Sequence, residues 1–188
     1  MSPPTGSLPG EVPPPRRGAP PDSRLAADRG RWRRIATGLA LAALVVILDQ
    51  ASKSAILQAM QARPPVRVAD VFQLVLVWNR GVSFGMFNNG AAVNAVIFSI
   101  LAAIIVAALL HWLWRGAAPM IVIGVGLVVG GAVGNVIDRL RLGAVVDFLD
   151  FHIGEWHWPA FNLADSAICV GVAVMLIDGL LRRREAAN

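Results

Sequence analysis

Four of the aspartates in or beside long apolar runs are candidates for chemistry: Asp49, Asp138, Asp147 and Asp165. Lys53, Asn135 and Asn162 accompany them, and Arg139 follows Asp138 directly. Ionisable groups at membrane depth are costly and are functional candidates by default. Two carboxylates held close together do not both ionise easily, so one keeps a proton. The ionised one can then take a proton from water, and the protonated one can donate to a carbonyl oxygen or a leaving amine. That is the arrangement aspartic proteases use. Asp147 and Asp165 are 18 residues apart, so the chain between them must fold back to pair them. On spacing alone, Asp138 with Asp165 is an equal alternative.

Each residue also has a local reading. Asp49 and Lys53 are spaced for an intrahelical ion pair, with a secondary role in supporting the site. Asn135 suits a helix-packing amide, and Asp138 next to Arg139 suits an interfacial ion pair. Asn162 suits a helix cap, with Asp165 as a first-turn carboxylate. Asp147, among Val145, Val146 and Phe148, has no local partner. Asp178 is spaced to pair with Arg182. Asp150 reads as solvated, and Cys169 as a small core residue. His111, His152 and His157 are not at ligand spacing, so no metal is expected, and chemistry by two carboxylates requires no cofactor.

The elements that must position these residues are membrane spans. The 188 residues are 56% hydrophobic and 15% charged, with a mean hydropathy of +0.60. Soluble domains average about 25% charged residues. This composition excludes an ordinary soluble enzyme, a nucleic-acid-binding domain and a disulfide scaffold, the last because Cys169 is the one cysteine. Apolar runs at about 35–57, 91–114, 119–137 and 161–181 are each near the ~20 residues needed to cross the hydrocarbon. A cleaved leader with its core from Ile35 is rejected, because the run is long. Residues 1 to about 30 carry eight prolines and read as a disordered tail ahead of a membrane domain at 31–184. Runs two and three, joined around Arg115 and Gly116, read as a tight hairpin. The glycines of run three permit close helix approach.

Charge sets the orientation. With both termini inside, eleven arginines lie inside against six basic residues outside. Asp49 then lies about 21 Å along the first helix, near its outer end. Asn135, Asp138, Asn162 and Asp165 fall at the same depth. Collection on one side disfavours a transporter, which would carry polar residues at the midplane or on both sides. The segment from Val66 to Trp78 reads as one or two strands, and Asp138 to Pro159 as a segment lying along the membrane surface.

The segments Asp49-Gln50-Ala51-Ser52-Lys53, Asn79-Arg80-Gly81-Val82-Ser83-Phe84-Gly85, Gly134-Asn135-Val136-Ile137-Asp138-Arg139, Val145-Val146-Asp147-Phe148 and Phe161-Asn162-Leu163-Ala164-Asp165-Ser166-Ala167 stand in this order. Together they resemble bacterial lipoprotein signal peptidases (type II signal peptidases) over about Ile35 to Leu181. The resemblance implies four transmembrane helices, an extracytoplasmic β-cradle at about 66–87, and an aspartic endopeptidase of the bacterial plasma membrane. It implies a substrate: prolipoproteins cut just before a diacylglyceryl-modified cysteine, with membrane lipid as surroundings and a monomer sufficient. It matches the catalytic pair to Asp147 and Asp165, which settles the choice left open above. Asn79, Gly81, Asn135, Asp138, Arg139, Asn162 and Ala164 match positions that bind substrate or support the site. Asp49 and Lys53 match a structural pair. Ser83 stands where many members carry Ala.

Overall fold

The computed structural model describes residues 21–81 and 91–187. The proline-rich stretch before residue 21, Ser83 and the end of the expected cradle lie outside the described residues. The elements, in chain order, are α1 (Pro21–Met60), β1 (Val66–Ala69), β2 (Phe72–Asn79), α2 (Ala91–Trp114), α3 (Pro119–Leu142), β3 (Val145–Ile153), β4 (Trp156–His157) and α4 (Leu163–Ala187). Among the described residues, four helices are long and apolar enough to cross a membrane. The first begins earlier than its apolar run: after Pro21 no proline interrupts the chain until Pro64, and proline is well suited to a helix's first position.

α3 is the centre of the bundle and the most buried of the four. Glycines let it touch two neighbours closely. A Cβ added at Gly130 would lie 2.7 Å from the Ala42 carbonyl oxygen on α1, and one at Gly131 would run into the Ala164 carbonyl oxygen on α4. Close backbone approach of this kind drives helix association where lipid leaves no hydrophobic gain. Toward the other end of the bundle, Leu113, Ile121, Val122 and Val125 form an apolar core with Ala42. α2 is peripheral: among its described residues Leu113 alone is buried, and most of its large apolar side chains face outward.

α3 stops at Gly143, whose φ of 71° is the left-handed conformation glycine adopts without strain, and whose N–H donates to the Arg139 carbonyl at 3.1 Å. The chain turns there into β3. The sheet is antiparallel with order β1-β2-β3-β4. Val77 pairs with Asp147 and Asn79 with Val145, beyond a bulge between Leu74 and Val77. The segment expected along the membrane surface thus supplies the last turn of α3 and two of the four strands. Its Val145, Val146, Phe148 and Leu149 put apolar groups on both faces of a strand once β2 is available as a partner. An isolated bridge, Leu149 with Phe161, then folds the chain back beside β3 just before α4 begins. The Leu149 N–H donates to the Phe161 oxygen at 2.8 Å and the Phe161 N–H to Leu149 at 3.0 Å.

Two expectations are corrected. Asp150 is buried rather than solvated, because its stretch is a strand that aims it at neighbours. It accepts from Gln73 Nε2 at 2.7 Å and lies 2.8 Å from His157 Nδ1. Burial pushes its carboxyl up, but the bonds from Gln73 and His157 outweigh this and hold it below the ordinary carboxylate value. Cys169 lies exposed on α4 rather than in the core.

Candidate active site

Polar residues from α1, α3, β2, β3 and the start of α4 meet in one buried cluster. Lys53, Asn162, Asp49 and Asp147 are among the most deeply buried side chains, each at most 2% exposed. The start of α4 is fixed by a reciprocal cap. Asn162 Oδ1 accepts the Asp165 N–H at 2.9 Å, and Asp165 Oδ2 accepts the Asn162 N–H at 3.2 Å. Such a box satisfies two helix-end donors at once and locks the orientation of the carboxylate that closes it. The other Asp165 oxygen, Oδ1, accepts Asn135 Nδ2 at 2.8 Å.

Asp147 stands on β3 between two amides. Asn79 Nδ2 donates to its Oδ2 at 2.8 Å and Asn162 Nδ2 to its Oδ1 at 2.7 Å. Asn162 Nδ2 also lies 3.2 Å from Asn135 Oδ1. Asn135 and Asn162 therefore link the Asp147 and Asp165 carboxyls. Burial pushes the Asp147 carboxyl up to about 6, the amide bond from Asn79 opposes this, and the nearby charge of Asp165 adds to it.

Asp49 and Asp138 differ in kind. Lys53 Nζ lies 2.8 Å from Asp49 Oδ2 and 2.9 Å from Asp138 Oδ2. Asp138 thus pairs with Lys53 and not with Arg139, because adjacent helix residues do not face each other. Its Oδ2 also accepts the Val146 N–H at 3.1 Å, and Asp49 Oδ1 accepts the Ala164 N–H at 3.0 Å. Of the four carboxylates, Asp49 and Asp138 are neutralised by a cation, while Asp147 and Asp165 accept only amide donors among the described residues.

Two openings flank the pair. One of about 570 Å³ reaches Asp147 and is lined by Trp78, Asn79, Arg80, Gly81, Pro159 and Ala160 among others. The other, about 270 Å³, lies between α2, α3 and α4 and reaches Asp165 and Arg139 past Phe98, Leu101 and Ile105. Gly81 (φ 78°) donates its N–H to Asn79 Oδ1 at 2.9 Å. A side chain there would strike Phe98, over whose ring Arg139 stacks at 5.4 Å.

Gln50 was given no role from sequence. Its Nε2 donates to Asp138 Oδ1 at 2.9 Å and to the Gly134 carbonyl at 3.2 Å, tying α1 to α3. An amide beside Asp49 in an uncharged run was the available signal. Phe98 carried none, being one apolar residue in an apolar helix. Asp178 pairs with Arg182 at 2.7 Å, toward the opposite end of α4 from the cluster. Asp178→Asn is expected to leave substrate turnover within about twofold of wild type, because Asp178, though itself buried, bonds to Arg182 on its own helix and to no residue of the cluster; a rate assay on the purified variant checks this.

The chain matches the family described as Signal peptidase (SPase) II over residues 41–181. It is 44% identical over 148 residues to a lipoprotein signal peptidase of Methylobacterium sp. (strain 4-46), covering 78% of this chain and 90% of that one. The corresponding protein of Paraburkholderia phymatum is 42% identical over 153 residues, covering 81% and 92%. A bacterial membrane enzyme solved by the in meso method at 2.3 Å resolution superposes with a TM-score of 0.68 and 31% identity over 81% of this chain and 92% of that one. A second such structure, at 1.9 Å, gives 0.68 and 33% over 77% and 93%. With five ordered motifs, four spans and a buried aspartate cluster already in place, these matches show that the chain belongs to the signal peptidase II family.

Proposed function

We propose that this chain is an aspartic endopeptidase that removes the signal peptide from prolipoproteins, cutting just before a diacylglyceryl-modified cysteine. The observation that carries the reading is the division of the four carboxylates: two bound to a lysine, two held, among the described residues, by amides alone and set beside openings. Asp147 and Asp165 share one proton. The ionised member takes a proton from water as it attacks the scissile carbonyl, and the protonated member supports the developing oxyanion. Proton transfer to the leaving amine completes the cut. Asn79, Asn135 and Asn162 orient the two carboxyls. The apolar opening toward α2 suits a substrate arriving sideways from the bilayer, with its acyl chains left in lipid. Loop charge supports cytoplasmic termini and a site near the outer face, where water reaches. One copy carries the whole cluster, so a monomer suffices.

Purified chain mixed in detergent with a diacylglyceryl-modified prolipoprotein is expected to release the signal peptide, read as a gel shift. Absence of cleavage by correctly inserted chain would sink the reading.

The raised Asp147 value also predicts a pH dependence of stability. Its protonated form is favoured in the fold, so the native state holds more proton than the unfolded chain between about 4 and 6. Burying the charge therefore destabilises the fold progressively as pH rises through that window, then levels off. The total is at most ~3 kcal/mol at 1.36 kcal/mol per pKa unit. Relative to wild type, Asp147→Asn should gain thermal stability from pH 4 to 6 and no more above it. A stability difference independent of pH would contradict this.

A further inference from the structure

We propose that Lys53 is a positioning residue that sets the spacing of the two catalytic carboxylates. The inference rests on the Asp147–Asp165 reading above. Lys53 is 2% exposed, and its ammonium has three N–H donors. Three acceptors surround it: Asp49 Oδ2 at 2.8 Å, Asp138 Oδ2 at 2.9 Å and Asn135 Oδ1 at 3.0 Å.

Each acceptor leads to the pair. Asp49 holds the N–H of Ala164, the residue before Asp165. Asp138 holds the N–H of Val146, the residue before Asp147. Asn135 donates to the Asp165 carboxyl itself. One cation thus ties the backbone on the near side of both aspartates, which come from different elements, β3 and α4. A buried ion cluster is a weak source of net stability, because desolvation offsets the attraction. Fixing one arrangement against others is a better-attested use of buried charge. Here the arrangement fixed is the separation between two groups that must share a proton.

The test uses Asp49→Asn. The wild-type carboxylate spends one oxygen on Ala164 N–H and the other on Lys53. An amide has a single oxygen and cannot do both, so the tie breaks at one bond. Lys53 stays paired with Asp138, so no buried cation is left alone. The expected result, measured on full-length chain with lipidated prolipoprotein, is thermal unfolding close to wild type, KM within about threefold, and kcat lower by roughly 100-fold, the effect of a ~1 Å misplacement. Lys53→Arg is measured beside it. It keeps the charge but replaces a point donor by a planar fork, and the same split of kcat from KM is expected. Wild-type kcat in either folded variant would overturn the proposal. Loss of folding in both would overturn it too, by assigning the cluster to stability. Asp165→Asn runs as a control: if it still cleaves, the dyad reading fails, whereas a dead Asp165→Asn beside a fully active Asp49→Asn removes only the role of Lys53.

Discussion

Asp147→Asn and Asp165→Asn are each expected to lose prolipoprotein cleavage by ~10³-fold or more, while the chain still inserts and folds. The amide has the shape of the carboxyl but neither takes nor releases a proton at working pH. If two carboxyls divide the work, one as base and one as acid, either change stops the cycle. At Asp147 the amide must face Asn79 Nδ2 and Asn162 Nδ2, both donors, with one oxygen, so an amide flip nearby is expected. At Asp165 the amide keeps one acceptor for the Asn162 N–H or Asn135 Nδ2. Neither change leaves a buried charge unpaired, so unfolding should not explain the loss. Gel-shift cleavage run beside thermal unfolding separates the two explanations. Robust turnover by either folded variant would remove it from the pair.

Gly131→Ala is the second large effect. Glycine in a helix interior is normally worse than alanine by ~1 kcal/mol, so the exchange should stabilise. At Gly131 the sign reverses. The added methyl would overlap the Ala164 carbonyl oxygen and lie 2.8 Å from Ile168 Cγ1. A backbone oxygen cannot swing aside, so α4 must move off α3. Overpacking of this kind typically destabilises by ~1–3 kcal/mol. The displaced segment begins one residue before Asp165, so cleavage should fall further than stability does. Gly179→Ala, on α4 with nothing within 4 Å of the added carbon, is the internal control and should gain slightly. If both variants unfolded alike, the close contact at Gly131 would not matter.

The spans were legible because hydropathy and length report lipid exposure directly, and α2 and α3 need little else. Asn162 as a cap was legible from its place before an apolar run, and the structure shows one side chain serving both roles: Oδ1 accepts the Asp165 N–H in the cap while Nδ2 donates to Asp147 in the cluster. The sheet was half legible. Val66 to Trp78 has strand composition, but the Asp138–Pro159 stretch mixes charge and aromatics, and its strand character depends on a distant partner, β2. Asp150 was misread for that reason: assigning a side chain to solvent requires knowing what lies across the sheet. Asp138 was given the wrong cation. Adjacency in sequence favoured Arg139, whereas helix geometry brings in Lys53 from α1, 85 residues away. Long-range pairing of polar groups leaves no local trace.

The outward-facing surface of α2 bears on how this sequence can drift. Among its described residues, a helix that buries Leu113 alone answers to little beyond hydrophobicity over most of its length. Exchanges among Ile, Leu, Val and Phe there are close to synonymous in physical terms. α3 has the opposite character, since its glycines and Asn135 each meet a named backbone or side-chain atom. Two helices of 24 residues, adjacent in the chain, therefore carry very different amounts of information, and ancestry should be read from α3 while α2 records mainly the lipid around it.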